Sequence, residues 1–261
     1  MPLIDDLTIL AAGRNILPAA FNCASFNQCN ASTGGNMDGG PGCSMSFVGS
    51  AYENSNLKIA CIGVDHRDHI DNNYHQRTIG IIDYYQIQGH LFNQHYQGVV
   101  RTAAAFLGQQ GYACNTCWQT RQCRKVANPN LPDCVLDKIV QPNLVKCVRA
   151  DVINANSRAT SSMKANCARH LLAELRLITP RLAIFHGAKL KRPFLRALTI
   201  DGLQWINFPI PSIPQVVAVE IPEIGMLAFF LHHPARSMLS RQWEGVVAPC
   251  LDYLQQIGEI A

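Results

Sequence analysis

Short apolar runs alternate with longer amphipathic stretches along this chain, and that alternation restricts the fold more than any other feature of the sequence. Buried strands are expected at residues 57–64, 181–187 and 226–231, where the sequence reads LKIACIGV, RLAIFHG and MLAFFL. Amphipathic helices are expected at 98–111 and 161–179. Strands that alternate with helices form a parallel sheet flanked by helices, so the sequence predicts an α/β fold.

Three weaker elements complete the predicted order. A short strand is expected at 143–149, a helix in the GAKLKRPFLRAL stretch that begins at Gly187, and a closing helix at 243–257. The 261 residues are 48% hydrophobic and 15% charged, so the chain can bury a large core as one domain or as two smaller ones. This composition excludes collagen-like, coiled-coil and intrinsically disordered chains.

The eleven cysteines are too dilute for a disulfide scaffold in a chain of this length. The N-terminal MPLIDDLTIL carries two acidic residues and no basic one, so we expect no signal peptide, a cytoplasmic protein and reduced thiols. We expect no membrane partner, because no apolar run reaches the roughly 20 residues of a spanning helix. The net charge of +4 permits a nucleic-acid partner without requiring one.

The position of each cysteine indicates its use, because clustered reduced thiols are usually metal ligands and a lone thiol in an apolar run usually packs. Cys61 and Cys250 are expected to pack in the core. The remaining nine form three groups, which are Cys23, Cys29 and Cys43, then Cys114, Cys117, Cys123 and Cys134, then Cys147 and Cys167.

The second group places four thiols within a short polar segment. Such a set suits zinc or an iron–sulfur cluster, and the spacing does not choose between the two. The alternative is a loop with four unrelated cysteines.

Polar turns follow two predicted strands at one edge of the predicted sheet. The first runs from Gly63 to His69, and its acids and histidines suit a metal site, an acid–base pair or a solvated loop. The second is the HHPAR turn that contains His233. Functional residues of open α/β sheets lie beyond the carboxyl ends of the strands, so we expect the two turns to converge.

Asn143 begins the NLVKC stretch near the same edge. Its amide offers a donor and an acceptor together, as the reading of a nucleobase edge requires. Ordinary turn chemistry is the alternative interpretation of an asparagine before a strand.

The order of these motifs resembles the uracil-DNA glycosylase superfamily, and most closely its iron–sulfur branch, family 4. The similarity covers roughly residues 55–255, with GVD, HYQGVVRTAAAFLG, NLVKC, PRLAIFHGAK and HHPAR in the family's order. It implies a three-layer α/β/α fold with a central, mostly parallel, four-stranded sheet. We expect a single domain over 1–261, with a cysteine- and glycine-rich segment at 20–50 and a cysteine-rich insertion at 112–135.

The resemblance also implies roles for individual residues. Asp65 matches the carboxylate that orients water and stabilises the cationic sugar, and His233 matches the histidine that stabilises charge on the base oxygen. The implied base-binding residues are Gly63, Val64, Tyr96 and Asn143. The implied DNA-inserting loop consists of Pro234, Ala235, Arg236, Ser237, Met238 and Leu239.

Positions in the first and the last motif depart from the family pattern. Val64 stands where family 4 has a glutamate, and His66 and Arg67 stand where family 1 has proline and a thymine-excluding tyrosine. These departures bear on which base is accepted. In the last motif, Ala235 and Arg236 stand where family 1 has serine and proline.

The resemblance implies one 4Fe–4S cluster, held by Cys23, Cys29, Cys147 and Cys167, with Cys43 as a substitute for one of the N-terminal pair. The insertion with Cys114, Cys117, Cys123 and Cys134 has no counterpart in the family pattern, and zinc or a second iron–sulfur cluster is expected there.

Three functions follow as hypotheses. The first is a glycosylase that removes uracil, or a related deaminated base, from DNA and leaves an abasic site. The second is the same fold acting on another lesion, such as hypoxanthine or xanthine. The third is a noncatalytic iron–sulfur protein that binds nucleic acid.

Overall fold

The structure is a computed structural model that describes residues 2–17, 21–35, 45–64, 73–82, 94–108, 134–147, 159–210, 217–233, 245 and 247–260. The strands are β1 (Phe47–Val48), β2 (Ile59–Ile62), β3 (Ile139–Gln141), β4 (Leu182–His186), β5 (Ile206–Pro209), β6 (Val217–Ile221) and β7 (Met226–Leu231). The α-helices are α1 (Pro2–Gly13), α2 (Phe26–Ser32), α3 (Tyr74–Ile82), α4 (Gln94–Phe106), α5 (Ser161–Ile178), α6 (Lys191–Ile200) and α7 (Ala248–Gln256). Short 3-10 helices cover Val135–Lys138, Ala188–Leu190 and Pro222–Ile224.

The strands form one mixed sheet of seven in the order β1-β3-β2-β4-β7-β6-β5. The four central strands, β3, β2, β4 and β7, run parallel to one another. β1 pairs antiparallel at one edge, and β6 and β5 add two antiparallel strands at the other. The predicted α/β class with a parallel four-stranded centre is therefore confirmed, and the sheet is wider than the prediction.

The parallel strands are apolar apart from Gln141 and His186 at their carboxyl ends, because helices cover both of their faces. Every residue of β2, β4 and β7 is buried. On one face, the rings of Phe185 and Phe230 stack with centroids 4.5 Å apart, and Phe194 of α6 lies 4.7 Å from Phe185. On the other face, Phe106 of α4 packs 5.8 Å from Phe229.

Two hydrophobic clusters fill the spaces between the three layers. One joins the sheet to α1, α5 and α6, and the other joins it to α4 and α7. The α/β/α arrangement is therefore confirmed. No helix in the described part of the chain is long and apolar enough to cross a membrane.

The predicted boundaries fit best where the pattern was strongest. β7 spans the predicted 226–231, and α5 covers nearly all of 161–179, although Thr160 caps it by accepting a hydrogen bond from the Met163 amide. The helix predicted at 98–111 begins four residues earlier, at Gln94, and ends at Phe106. The closing helix is shorter than predicted and begins at Ala248.

The strand predicted at 143–149 is wrong in its placement. The strand of this region is β3, and Asn143 after it makes only an isolated bridge to Gly63. Residues 144–146 have no regular secondary structure although all are buried. Pro142 explains the break, because proline has no amide hydrogen to donate to a sheet.

Candidate active site and cysteine centre

The carboxyl ends of the four parallel strands lie at one edge of the sheet. Gly63 and Val64 follow β2, Asn143 follows β3, His186 ends β4, and His233 comes two residues after β7. Sequence motifs that are far apart along the chain are thereby brought to one edge, as the parallel order of the strands requires.

Gly63 and Asn143 are direct neighbours at this edge. The Gly63 amide donates to the Pro142 carbonyl at 3.1 Å, and the Leu144 amide donates to the Gly63 carbonyl at 3.0 Å. A β-carbon at position 63 would lie 2.6 Å from the side-chain oxygen Oδ1 of Asn143. Only glycine therefore leaves room for the amide of Asn143, which is 7% exposed.

The other predicted site residues lie on separate elements of the fold. Val64 accepts a hydrogen bond from the Val145 amide at 2.8 Å through its carbonyl, and its side chain packs against the core on the α5 side of the sheet. Tyr96 lies in the first turn of α4. His233 is exposed at the end of β7. Asp65, His66, Arg67 and Pro234 to Leu239 lie outside the described residues.

His186 is a residue of this edge that the sequence analysis did not single out. It is 2% exposed and pairs with Leu231 of β7. Successive strand residues face opposite sides of a sheet, so His186 follows Leu182 and Ile184 onto the α4 face. The sequence feature that could have identified it is a histidine at the end of the apolar run 182–186.

Four thiols gather on the opposite face, where α5 packs against the sheet. Cys23 precedes α2, Cys29 lies within α2, Cys147 ends the segment after β3, and Cys167 lies in α5. All four are buried and none forms a disulfide. Cys147 is hydrogen-bonded to Cys167, and all four thiols belong to the same core cluster on this face of the sheet.

Nitrogen donors surround three of these sulfurs. The Asn166 side-chain amide donates to Cys29 Sγ at 3.4 Å, and the Lys146 backbone amide donates to Cys167 Sγ at 3.5 Å. His170 Nε2 lies 3.9 Å from Cys23 Sγ, and Arg14 lies 3.4 Å from His170 Nδ1. A guanidinium can only donate, so Nδ1 accepts and a neutral His170 presents its Nε2 proton to Cys23.

The pKa values of these groups follow from burial and from those donors. Burial raises the pKa of Cys23 and of Cys29 above the ordinary thiol value. The hydrogen bond with Cys147, helped by the backbone amide and the charge of Lys146, lowers the pKa of Cys167 to about 7. Burial and the charge of Arg14 lower the pKa of His170 to about 4, so it is neutral at pH 7.

The donor types in this group are those that an iron–sulfur cluster uses. No three histidine, cysteine or acidic side chains among the described residues are arranged to hold one metal ion. A 4Fe–4S cluster takes four cysteine thiolates, one on each iron, and hydrogen bonds to sulfur tune it. Four buried thiols with N–H donors at three of them match that requirement.

Cys61 and Cys250 pack in the core, as the sequence predicts. Cys61 and Cys250 are fully buried among apolar side chains, and burial raises the pKa of both thiols, that of Cys61 to about 12. Cys134 is buried in the core beside α4. Cys43, Cys114, Cys117 and Cys123 lie outside the described residues, so the predicted second metal site stays a prediction.

α5 organises the cysteine centre. It contributes Cys167 itself, the donors Asn166 and His170 to two other thiols, and Glu174, which binds Lys146. The motifs of the sequence did not predict these partners. Glu174 had a signal, since it is a lone acid among the leucines on the buried face of an amphipathic helix.

The sequence model described as the Uracil DNA glycosylase superfamily matches residues 56–255, which is more than half of the chain. No curated protein sequence matches the chain.

Proposed function

Because the chain belongs to the uracil-DNA glycosylase superfamily, we propose that it is a monofunctional glycosylase of the iron–sulfur branch that releases uracil, or a related deaminated base, from DNA. The observation that carries the proposal is the contact between Gly63 and Asn143 at the carboxyl edge of the sheet. It joins the first motif of the resemblance to the amide expected to read the base.

The reaction breaks the bond between a sugar carbon and a base nitrogen. Its transition state has positive charge on the sugar and negative charge on the departing base, so opposite charges placed at each end lower the barrier. In the proposed site, the Asp65 carboxylate stabilises the sugar and orients water, and His233 donates to the base oxygen. β2 and β7 end at the same edge, which supports this division of roles.

Recognition of the base requires that it leave the DNA stack. Asn143 can donate to a carbonyl and accept from a ring N–H of a pyrimidine at once. Tyr96 supplies an aromatic surface for the flipped base. α4, which carries Tyr96, packs on the sheet face that His186 also shares.

Contacts with the DNA backbone are expected around the same edge. Lys189 and Arg192 are exposed just beyond the carboxyl end of β4, where cations can neutralise phosphates. Pro234 to Leu239 follow β7 and match the family's inserted loop. An apolar side chain of that loop would wedge into the stack from which the base is removed.

The proposed cluster would be held by Cys23, Cys29, Cys147 and Cys167. Bound there, an iron–sulfur cluster would supply covalent cross-links among the N-terminal segment, the segment that carries Asn143, and α5. The protein residues alone carry out the steps of base recognition and bond cleavage described above.

The proposal is tested by excision from a uracil-containing oligonucleotide. Asp65→Asn should lower the rate by at least about a hundredfold, as loss of a catalytic carboxylate does, while DNA binding is kept. Asp252→Asn, on exposed α7, is the matched control and should leave excision unchanged. Full activity of the Asp65 variant would contradict the assigned role.

A second candidate is release of another deaminated base, such as hypoxanthine or xanthine. The observation that favours it is Val64, whose side chain packs against the core and provides no polar group. Duplexes that differ only in the damaged base separate the two candidates. Hypoxanthine release that is faster than uracil release would favour the second.

A further inference from the structure

The segment from Pro142 to Cys147 connects the proposed base pocket to the cysteine centre. Asn143 stands at one end and Cys147 at the other, and residues 143–147 are all buried. Three backbone hydrogen bonds tie it to Gly63 and Val64. Residues 144–146 belong to no strand, so side-chain contacts add to these backbone hydrogen bonds in fixing the segment.

The largest such contact is a buried ion pair. The Lys146 ammonium donates to Glu174 Oε2 at 2.5 Å, and each side chain is 1% exposed. Tyr74 Oη donates to Glu174 Oε1 at 2.5 Å, and Ser46 Oγ donates to Oε2 at 3.2 Å. Three elements, namely α3, α5 and the residues before β1, are therefore joined to the segment through one carboxylate.

Stability alone does not account for this pair. Removing two charges from water costs several kcal/mol, and a buried ion pair replaced by well-packed apolar residues is often neutral or more stable. The pair fixes the position of Lys146. Its ammonium donates to Glu174, and its backbone amide donates to Cys167 Sγ. A fixed Lys146 holds the residues immediately before it.

We propose that Lys146 is a positioning residue for Asn143, anchored by Glu174, so that the buried ion pair sets the direction of the amide that reads the base. The inference rests on the proposed function for its catalytic consequence. Its structural content, the placement of the Asn143 amide, can be measured whether or not a base is released.

The test uses the double variant Lys146→Met with Glu174→Gln, prepared with its iron content intact. Neither side chain is then charged, so no charge is left buried alone. A glutamine whose oxygen takes the Oε1 position still accepts from Tyr74, and its NH2 group can donate to the Ser46 hydroxyl. Lys58→Met is the matched control, because Lys58 is a partly exposed lysine just before β2, at the amino edge of the sheet.

The first measurement is the NMR signal of the Asn143 side-chain amide, identified by its loss in Asn143→Ala. We expect this signal to shift or to double in the double variant and to stay in place in the Lys58 variant. An unchanged Asn143 signal in a folded double variant would overturn the proposal, whether or not the protein releases a base.

The second measurement is a mutant cycle on base excision. The double variant should lower kcat/KM about tenfold or more, and the loss should fall below about twofold when Asn143 is already alanine. Equal losses in both backgrounds would contradict action through Asn143. A wild-type protein that releases no base would refute the proposed function, and the NMR signal would still decide the positioning role.

Tyr74→Phe provides a milder variant in case the double variant does not fold. It removes one of the three donors to Glu174 and leaves the ion pair. A smaller displacement of the same Asn143 signal is expected, and no displacement would count against the proposal.

Discussion

The side-chain oxygen of Asn143 occupies the space that a β-carbon on Gly63 would need, 2.6 Å from that point. Real β-carbons do not approach another atom so closely, so either the amide or the strand end must move if a side chain is added. The placement of Asn143 in the NLVKC stretch therefore requires a glycine at position 63 in the first motif.

Gly63→Ala should therefore displace Asn143 and lower base excision by about tenfold to a hundredfold, as a misplaced substrate-positioning group does. Gly80→Ala is the control, because Gly80 is exposed in α3 with open space around it. That control should keep full excision and gain about 0.5–1 kcal/mol of unfolding free energy. Unchanged excision by Gly63→Ala would disprove the steric requirement.

Replacement of Cys29 by serine should reduce the iron bound per chain, since Cys29 is one of the four gathered thiols. Iron and sulfide counted in protein purified without oxygen provide the measurement. Cys250→Ala should retain its iron, because Cys250 lies in the core on the other side of the sheet. A Cys43→Ser variant that loses iron, beside a Cys29 variant that keeps it, would assign the N-terminal ligand to Cys43.

His170→Leu should lower the reduction potential of the proposed cluster. The Nε2 proton of His170 is directed at Cys23 Sγ, and a hydrogen bond to a ligand sulfur stabilises the more negative reduced state. A redox titration followed by electron paramagnetic resonance measures the change. Arg169→Gln, next to it on α5 but paired with Asp201, should leave the potential in place.

The ion pair of Arg181 with Glu259 predicts a dependence of stability on pH. Arg181 donates to both carboxylate oxygens, and its hydrogen bonds lower the pKa of Glu259 below the ordinary 4.5. A lowered carboxyl pKa gives stability that is present above the ordinary value and is lost as the pH falls through the lowered one. The pair is partly exposed, so its contribution is below about 1 kcal/mol.

Glu259→Gln should therefore unfold at lower urea concentration than wild type at pH 7, and the difference should shrink toward zero in acid. Glu53→Gln, at an exposed position, provides the control at both pH values. A difference that persists undiminished below the lowered pKa would show that charge is not the cause.

The family follows from the order of motifs along the chain, and this much is readable without a structure. Residues of the first motif and HHPAR stand at the carboxyl ends of predicted strands, so a parallel sheet brings them together. Asn143 reaches the same edge because β3 ends at Gln141, before it. The apolar run Met226–Leu231 also predicts both ends of β7 correctly, because a strand buried on both faces has no polar interruption.

The antiparallel strands at the sheet edges were missed for the opposite reason. β1 has two residues, and β5 contains an asparagine and a proline. Such short strands lack a pattern that distinguishes them from loops, and the partner strand decides whether they pair. Ile206 of β5 is 49% exposed, as expected of an edge.

The sequence by itself therefore determined the α/β class, the order of the central elements, and which residue types stand at the strand ends. Only the tertiary structure decided that Asn143 fits over Gly63 and that Lys146 binds Glu174, 28 positions away. The spacing of apolar residues along the chain shows which side chains are buried, because that spacing repeats with the turn of a helix or the alternation of a strand. A contact between distant side chains depends on register and packing, which no local pattern contains.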